Sequence, residues 1–196
     1  MEKEILILTG LHDEIVSEML VIAAKKVEEA LGMRTEVFDL KWKKEKSFKE
    51  IEKILFPEIE KRKEVYLLAI SAGMVAALIA RNKYGKEKIP KIISLCGWSR
   101  AEIALNKREK EKLDNLRETA PAFEEAINKL TEIYNNFTPK DWEEMMVFVA
   151  ERDQFVPESC CVVEGMKRVE LSRMEHIGGI IAGLGRVKEM KDFIRG

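Results

Sequence analysis

Short apolar runs alternate along the chain with longer segments of helical periodicity. The runs are Ile5–Leu8, Glu36–Leu40, Val65–Ile70, Ile92–Cys96 and Met146–Ala150, followed by a weaker one, Arg168–Leu171. Several are apolar on successive rather than alternate residues, the pattern of a strand whose two faces are both covered by helices. Between them, apolar positions at helical spacing predict helices over residues 13–31, 47–62, 72–84 and 179–194. This alternation predicts an α/β protein, three-layered and doubly wound, around a mostly parallel sheet of about six strands. Residues 98–143 break the rhythm. They are charge-rich and carry two helical patterns, 101–118 and 121–136, with Pro121 suited to a first helical position. The stretch follows one strand and precedes another, so it is expected to be a helical cap inserted into a core of residues 1–97 and 144–196. A long surface crossover with no role in binding would give the same pattern.

Composition narrows the classes. In 196 residues, apolar side chains make up 46%, which excludes a disordered chain. The 34 basic and 35 acidic residues leave a net charge of −1, so no bulk field draws in nucleic acid or an anionic membrane. Charged residues reach 35% and the only glutamine is Gln154, a balance expected of a heat-adapted host. Cys96, Cys160 and Cys161 leave an odd thiol in any pairing, which favours a reduced, cytoplasmic setting. The first residues are too acidic for a signal peptide, and no apolar run is long enough to span a bilayer.

The most informative segment runs from Val65 to Tyr84. A strand ends at Ile70, Ser71 follows, then Ala72-Gly73, and an apolar helix begins. A serine on such a corner is pushed out above the sheet edge, and the tight turn requires small residues two before and two after it. Ala69 and Gly73 meet that need, giving A-I-S-A-G where the nucleophile-elbow pattern has G-x-S-x-G. The helix start places backbone N–H groups beneath any anion formed there. The plain alternative is a serine N-cap. A serine hydroxyl needs a base to take its proton, and the chain has only two histidines, His12 and His176. Both follow strand candidates, so both fall in loops at the edge that holds Ser71. Asp153, after the strand ending at Ala150, is the carboxylate suited to orient an imidazole; Glu151 is its rival.

Ser71, Asp153 and His176 therefore occur in the order Ser…Asp…His, each after its own strand. In that order, and in the Thr9-Gly10-Leu11 loop, the A-I-S-A-G elbow, the D-Q-F-V-P acid loop and the histidine before the last helix, nearly the whole chain resembles the α/β-hydrolase family. Thr9 stands where the family usually has histidine before the loop glycine, Ala69 replaces the first elbow glycine, and the run at Ile5 corresponds to the family's third strand. The resemblance implies acyl transfer to water. His176 would deprotonate Ser71, Asp153 would orient His176, and the backbone N–H groups of Leu11 and Ala72 would receive the oxyanion. His12, Trp98 and Phe155 become candidates for substrate contact, although aromatic residues such as Trp98 also suit a core. No metal site is expected from two separated histidines, and no cofactor.

Three functions follow. The first is a serine hydrolase, carboxylesterase-like, cleaving a small-molecule ester or thioester through an acyl-enzyme on Ser71. The second is a non-catalytic protein of the same fold that binds a ligand or partner. The third, a flavodoxin-like nucleotide binder, is disfavoured because Thr9–Glu14 lacks a phosphate-cradling loop rich in Gly, Ser and Thr.

Overall fold

The computed structural model describes residues 3–11, 13–100 and 120–196, with only the backbone described for 13–18. The six expected strands form. They are β1 (Glu4–Leu8), β2 (Arg34–Phe38), β3 (Val65–Ile70), β4 (Ile92–Leu95), β5 (Met145–Ala150) and β6 (Lys167–Leu171). They make one sheet in the order β2-β1-β3-β4-β5-β6, and all five pairings are parallel. Every residue of β3 and β5 is buried, which explains why these runs are apolar without alternation.

Helices cover both faces. One face carries α1 (Asp13–Leu31), and with it α8 (His176–Leu184) and α9 (Val187–Arg195), over a cluster that includes Ile5, Ile7, Leu68, Phe148, Ile180 and Phe193. The other carries α2 (Phe48–Glu60), α3 (Gly73–Lys88), α4 (Pro121–Asn128) and α5 (Leu130–Asn136), over the larger cluster built on Leu6, Leu67, Val75, Phe123 and Val147. Short helices α6 (Pro139–Glu143) and α7 (Glu158–Cys161) follow, both against β5. Full burial of an Ile, Leu or Phe side chain contributes about 1.5–3 kcal/mol, so two such clusters pin the sheet from above and below.

Helix limits depart from the periodicity in three places. The pattern over 72–84 is a helix from Gly73 to Lys88, bent at Gly85, whose φ of 73° and ψ of 177° are not helical. The pattern over 121–136 divides at Lys129 into α4 and α5, with Pro121 in the first turn of α4 as expected. The expected final helix of 179–194 begins earlier, at His176, and breaks around Gly185-Arg186. Gly178, Gly179 and Gly183 weaken helix propensity there, so pattern alone places the start too late.

Of the expected cap, the helix over 101–118 lies outside the described residues. Residues 120–143 are described, and α4 and α5 pack against α2 and α3. Glu125 of α4 also accepts the Phe48 backbone N–H at the start of α2, at 2.8 Å.

Candidate active site

Parallel strands all end on one edge, and in this order β1 lies between β2 and β3, so the chain leaves β1 to one side and β3 to the other. Such a switch point opens a crevice beyond the strand ends. The Thr9-Gly10-Leu11 loop after β1 and Ser71 after β3 line it.

Ser71 has φ of +50°, in the left-handed region that a non-glycine residue enters at a cost. The corner is held on both sides: Ser71 donates its backbone N–H to the Leu95 carbonyl at 2.9 Å, and its own carbonyl accepts from Met74 at 3.1 Å. The helix itself starts at Gly73, with Ala72 as its cap residue. A Cβ on Gly73 would sit 2.5 Å from the Leu8 carbonyl oxygen and 3.0 Å from that of Thr9. The end of β1, rather than Ala69, thus demands a glycine two residues after the serine. The oxyanion-loop candidate comes equally close, because a Cβ on Gly10 would lie 3.0 Å from Ser71 Cβ and 3.6 Å from its Oγ. Thr9, in the histidine's place, steadies this loop. Its hydroxyl accepts the Leu40 N–H at 3.0 Å and its carbonyl accepts the Trp42 indole N–H at 3.2 Å.

The hydroxyl of Ser71 does not cap the helix. Its Oγ lies 3.0 Å from His176 Nε2, and His176 Nδ1 lies 2.7 Å from Asp153 Oδ2. A carboxylate only accepts, so the ring proton belongs on Nδ1 and the Nε2 lone pair faces the hydroxyl. Asp153 Oδ1 is occupied separately, by the N–H groups of Phe155 and Val156, each at 2.8 Å. That turn leaves only Oδ2 for the histidine. All three side chains are buried, His176 to 1% exposure, so bulk water competes little with the chain of hydrogen bonds. The rival carboxylate, Glu151, is turned away and accepts the Arg173 N–H at 2.7 Å.

Helix α8 delivers the imidazole, and its glycines set the depth. A Cβ on Gly179 would come within 2.7 Å of Ala150 Cβ and 2.9 Å of Cys96 Sγ, and one on Gly183 within 2.8 Å of Leu95 Cδ2. Gly179→Ala is expected to lift the helix off β4 and β5, destabilising the fold by about 1–3 kcal/mol as overpacking does and lowering the thermal midpoint.

Cys96 ends beneath the site, with φ of +52°. Its sulfur, the Asp153 carboxylate and the His176 ring all lie within 4.8 Å of one another. Burial, and then the neighbouring Asp153 charge, push its thiol up to about 12; the same causes raise the Cys161 thiol. Both ring nitrogens of His176 already have hydrogen-bond partners, Asp153 and Ser71. Because the fold keeps a proton that the unfolded chain releases from about pH 9, stability should fall as pH rises from about 9 towards 12. Denaturant midpoints at about pH 8 and about pH 10 check this, with Cys96→Ala showing the smaller loss.

The other expected contacts divide. Phe155 is half-buried, its ring edge-on to the imidazole with centroids 5.3 Å apart. Trp98 is buried and stacks edgewise on Phe123 at 6.2 Å, part of the core cluster. His12 lies outside the described residues. Cys160 and Cys161 are buried in α7, which packs on β5. Residue-by-residue reading passed over the Gln154 side chain, whose Oε1 accepts the His176 backbone N–H at 3.2 Å. In the sequence it stands out as the lone glutamine and as part of the D-Q-F-V-P acid loop.

No family model and no curated protein matches the chain. Solved structures do. A hydrolase from Oleispira antarctica is similar with a TM-score of 0.65 at 13% identity, over 100% of this chain and 92% of that one. A bromoperoxidase from Bacillus anthracis gives 0.63 at 14%, over 100% and 93%. A monoacylglycerol lipase from Paleococcus ferrophilus gives 0.61 at 12%, over 96% and 94%.

Proposed function

We propose, on the premise that this chain has the α/β-hydrolase fold, that it is a serine hydrolase cleaving a small ester or thioester through an acyl-enzyme on Ser71. One observation carries the reading: the unbroken relay from the Ser71 hydroxyl through both ring nitrogens of His176 to Asp153, at 3.0 and 2.7 Å. A serine used only as a helix cap would have no such partner.

In the proposed reaction, Ser71 Oγ attacks the carbonyl carbon while His176 Nε2 takes the hydroxyl proton. The carbonyl oxygen, now anionic, turns toward the backbone N–H groups of Ala72 and Leu11, and each such donor supplies about 10²–10³ in rate. The tetrahedral adduct collapses, its alcohol or thiol departs with the proton from His176, and the acyl group stays on Ser71. Water then attacks, giving up its proton to the same nitrogen, and the carboxylic acid leaves. Asp153 remains ionised and stabilises the transient imidazolium. Phe155, against the ring, and His12 are the proposed substrate contacts, and segment 98–143 is the proposed cover.

The test is a series of chromogenic esters of increasing acyl length together with a serine-directed phosphonate. Turnover of the short esters and phosphonate attached at Ser71 are expected. Absence of both would leave a non-catalytic protein that binds a ligand on this fold.

A further inference from the structure

The loop after β5, which carries the acid, is fastened to the segment before α8, which carries the base. Glu151 N–H donates to the Leu171 carbonyl at 3.2 Å and Arg152 N–H to that of Met174 at 2.9 Å. Arg173 N–H donates to the Glu151 carboxylate at 2.7 Å. The fourth bond differs in kind, because its donor is the backbone N–H of His176 itself and its acceptor is the side-chain oxygen of Gln154, 3.2 Å away.

His176 is the first residue of α8, and Glu175, the cap residue, makes no capping bond with its side chain. The leading N–H groups of a helix have no partner within it and need acceptors from elsewhere. Gln154 supplies one from another loop. Its neighbour Asp153 holds the ring of the same histidine through Nδ1 at 2.7 Å. Two consecutive residues therefore grip one histidine at two points, the ring by the carboxylate and the main chain by the amide. An imidazole tied only at its ring would keep that bond while tilting about its own side-chain torsions, and Nε2 would swing away from Ser71. Fixing the backbone sets the pivot from which the ring reaches Asp153 and Ser71.

We propose that Gln154 is a positioning residue, setting His176 at the depth where its ring spans from Asp153 to Ser71. The proposal rests on the reading of these three as catalytic. Gln154 is exposed, so shortening it opens no core cavity, and its effect on geometry separates from any effect on folding.

The experiment compares wild type, Ser71→Ala, Gln154→Ala and Gln154→Glu, the last of which keeps an acceptor oxygen at the same reach. With a short chromogenic ester, Gln154→Ala should lower kcat about tenfold with KM changed less than about twofold, since small misplacements of a catalytic group are costly. Gln154→Glu should recover most of the loss. The second readout is the proton resonance of the His176 Nδ1–H, shifted far downfield by the carboxylate; it should broaden or move in Gln154→Ala and return in Gln154→Glu. Wild-type kcat with an unmoved resonance in Gln154→Ala overturns the proposal, as does a loss that Gln154→Glu leaves unrepaired. Should wild type turn over no faster than Ser71→Ala, the hydrolase reading fails, and the resonance alone decides whether Gln154 places the ring.

Discussion

Ser71→Ala is expected to lower ester turnover at least about 10³-fold while leaving the thermal midpoint within a few degrees of wild type. Among the described residues, the Ser71 hydroxyl is the nucleophile that His176 Nε2 faces, at 3.0 Å. The thiol that comes nearest, Cys96, is held neutral beneath the imidazole. What would remain in the variant is the proposed oxyanion site and substrate binding, which sustain only slow attack by water. Folding should survive, because Ser71 has backbone partners in Leu95 and Met74 that alanine keeps. Initial rates with a chromogenic ester and a melting curve decide it: a variant that retains even a tenth of the activity removes Ser71 from the chemistry.

Asp153→Asn should cost about 10⁴ in kcat, because an amide reverses the tautomer that the base needs. The loop dictates which way the amide turns. Oδ1 accepts from the Phe155 and Val156 N–H groups, and an asparagine keeps its oxygen there. Its NH2 group must then face Nδ1, which can only accept, so the ring proton moves to Nε2. In that form Nε2 donates to the Ser71 hydroxyl and has no lone pair with which to take its proton. Near-normal folding is expected, together with very slow phosphonate attachment at Ser71. Turnover within tenfold of wild type would mean that another acid supports the histidine.

The fold was readable where the physics is regular. Strands buried on both faces, such as β3 and β5, announce themselves as unbroken apolar runs, whereas the edge strands β2 and β6 carry weaker patterns. Three loop residues after separate strands, in one order, were enough to nominate Ser71, Asp153 and His176 for a single edge, because parallel strands leave no other. The rest was hidden for particular reasons. Glycine usually signals a turn, so Gly178, Gly179 and Gly183 obscured the start of α8, where Gly179 and Gly183 in fact allow a helix to press against β4 and β5. The elbow pattern asks for a small residue at Gly73, but the strict need comes from β1, more than sixty residues away in sequence. Gln154 acts through one side-chain oxygen on a backbone N–H, a contact without periodicity. Trp98, plausible as a pocket wall, is drawn into the core by Phe123.

The left-handed backbone at Ser71 has an evolutionary edge. On the proposed reading, an L-residue held at that dihedral is tolerated for its reactivity, since glycine would occupy the corner without strain. Were a lineage of this chain to lose its substrate, selection for durability alone would push residue 71 toward glycine or asparagine. The persistence of a hydroxyl-bearing side chain on so uncomfortable a bend is, among descendants, a mark of continued use.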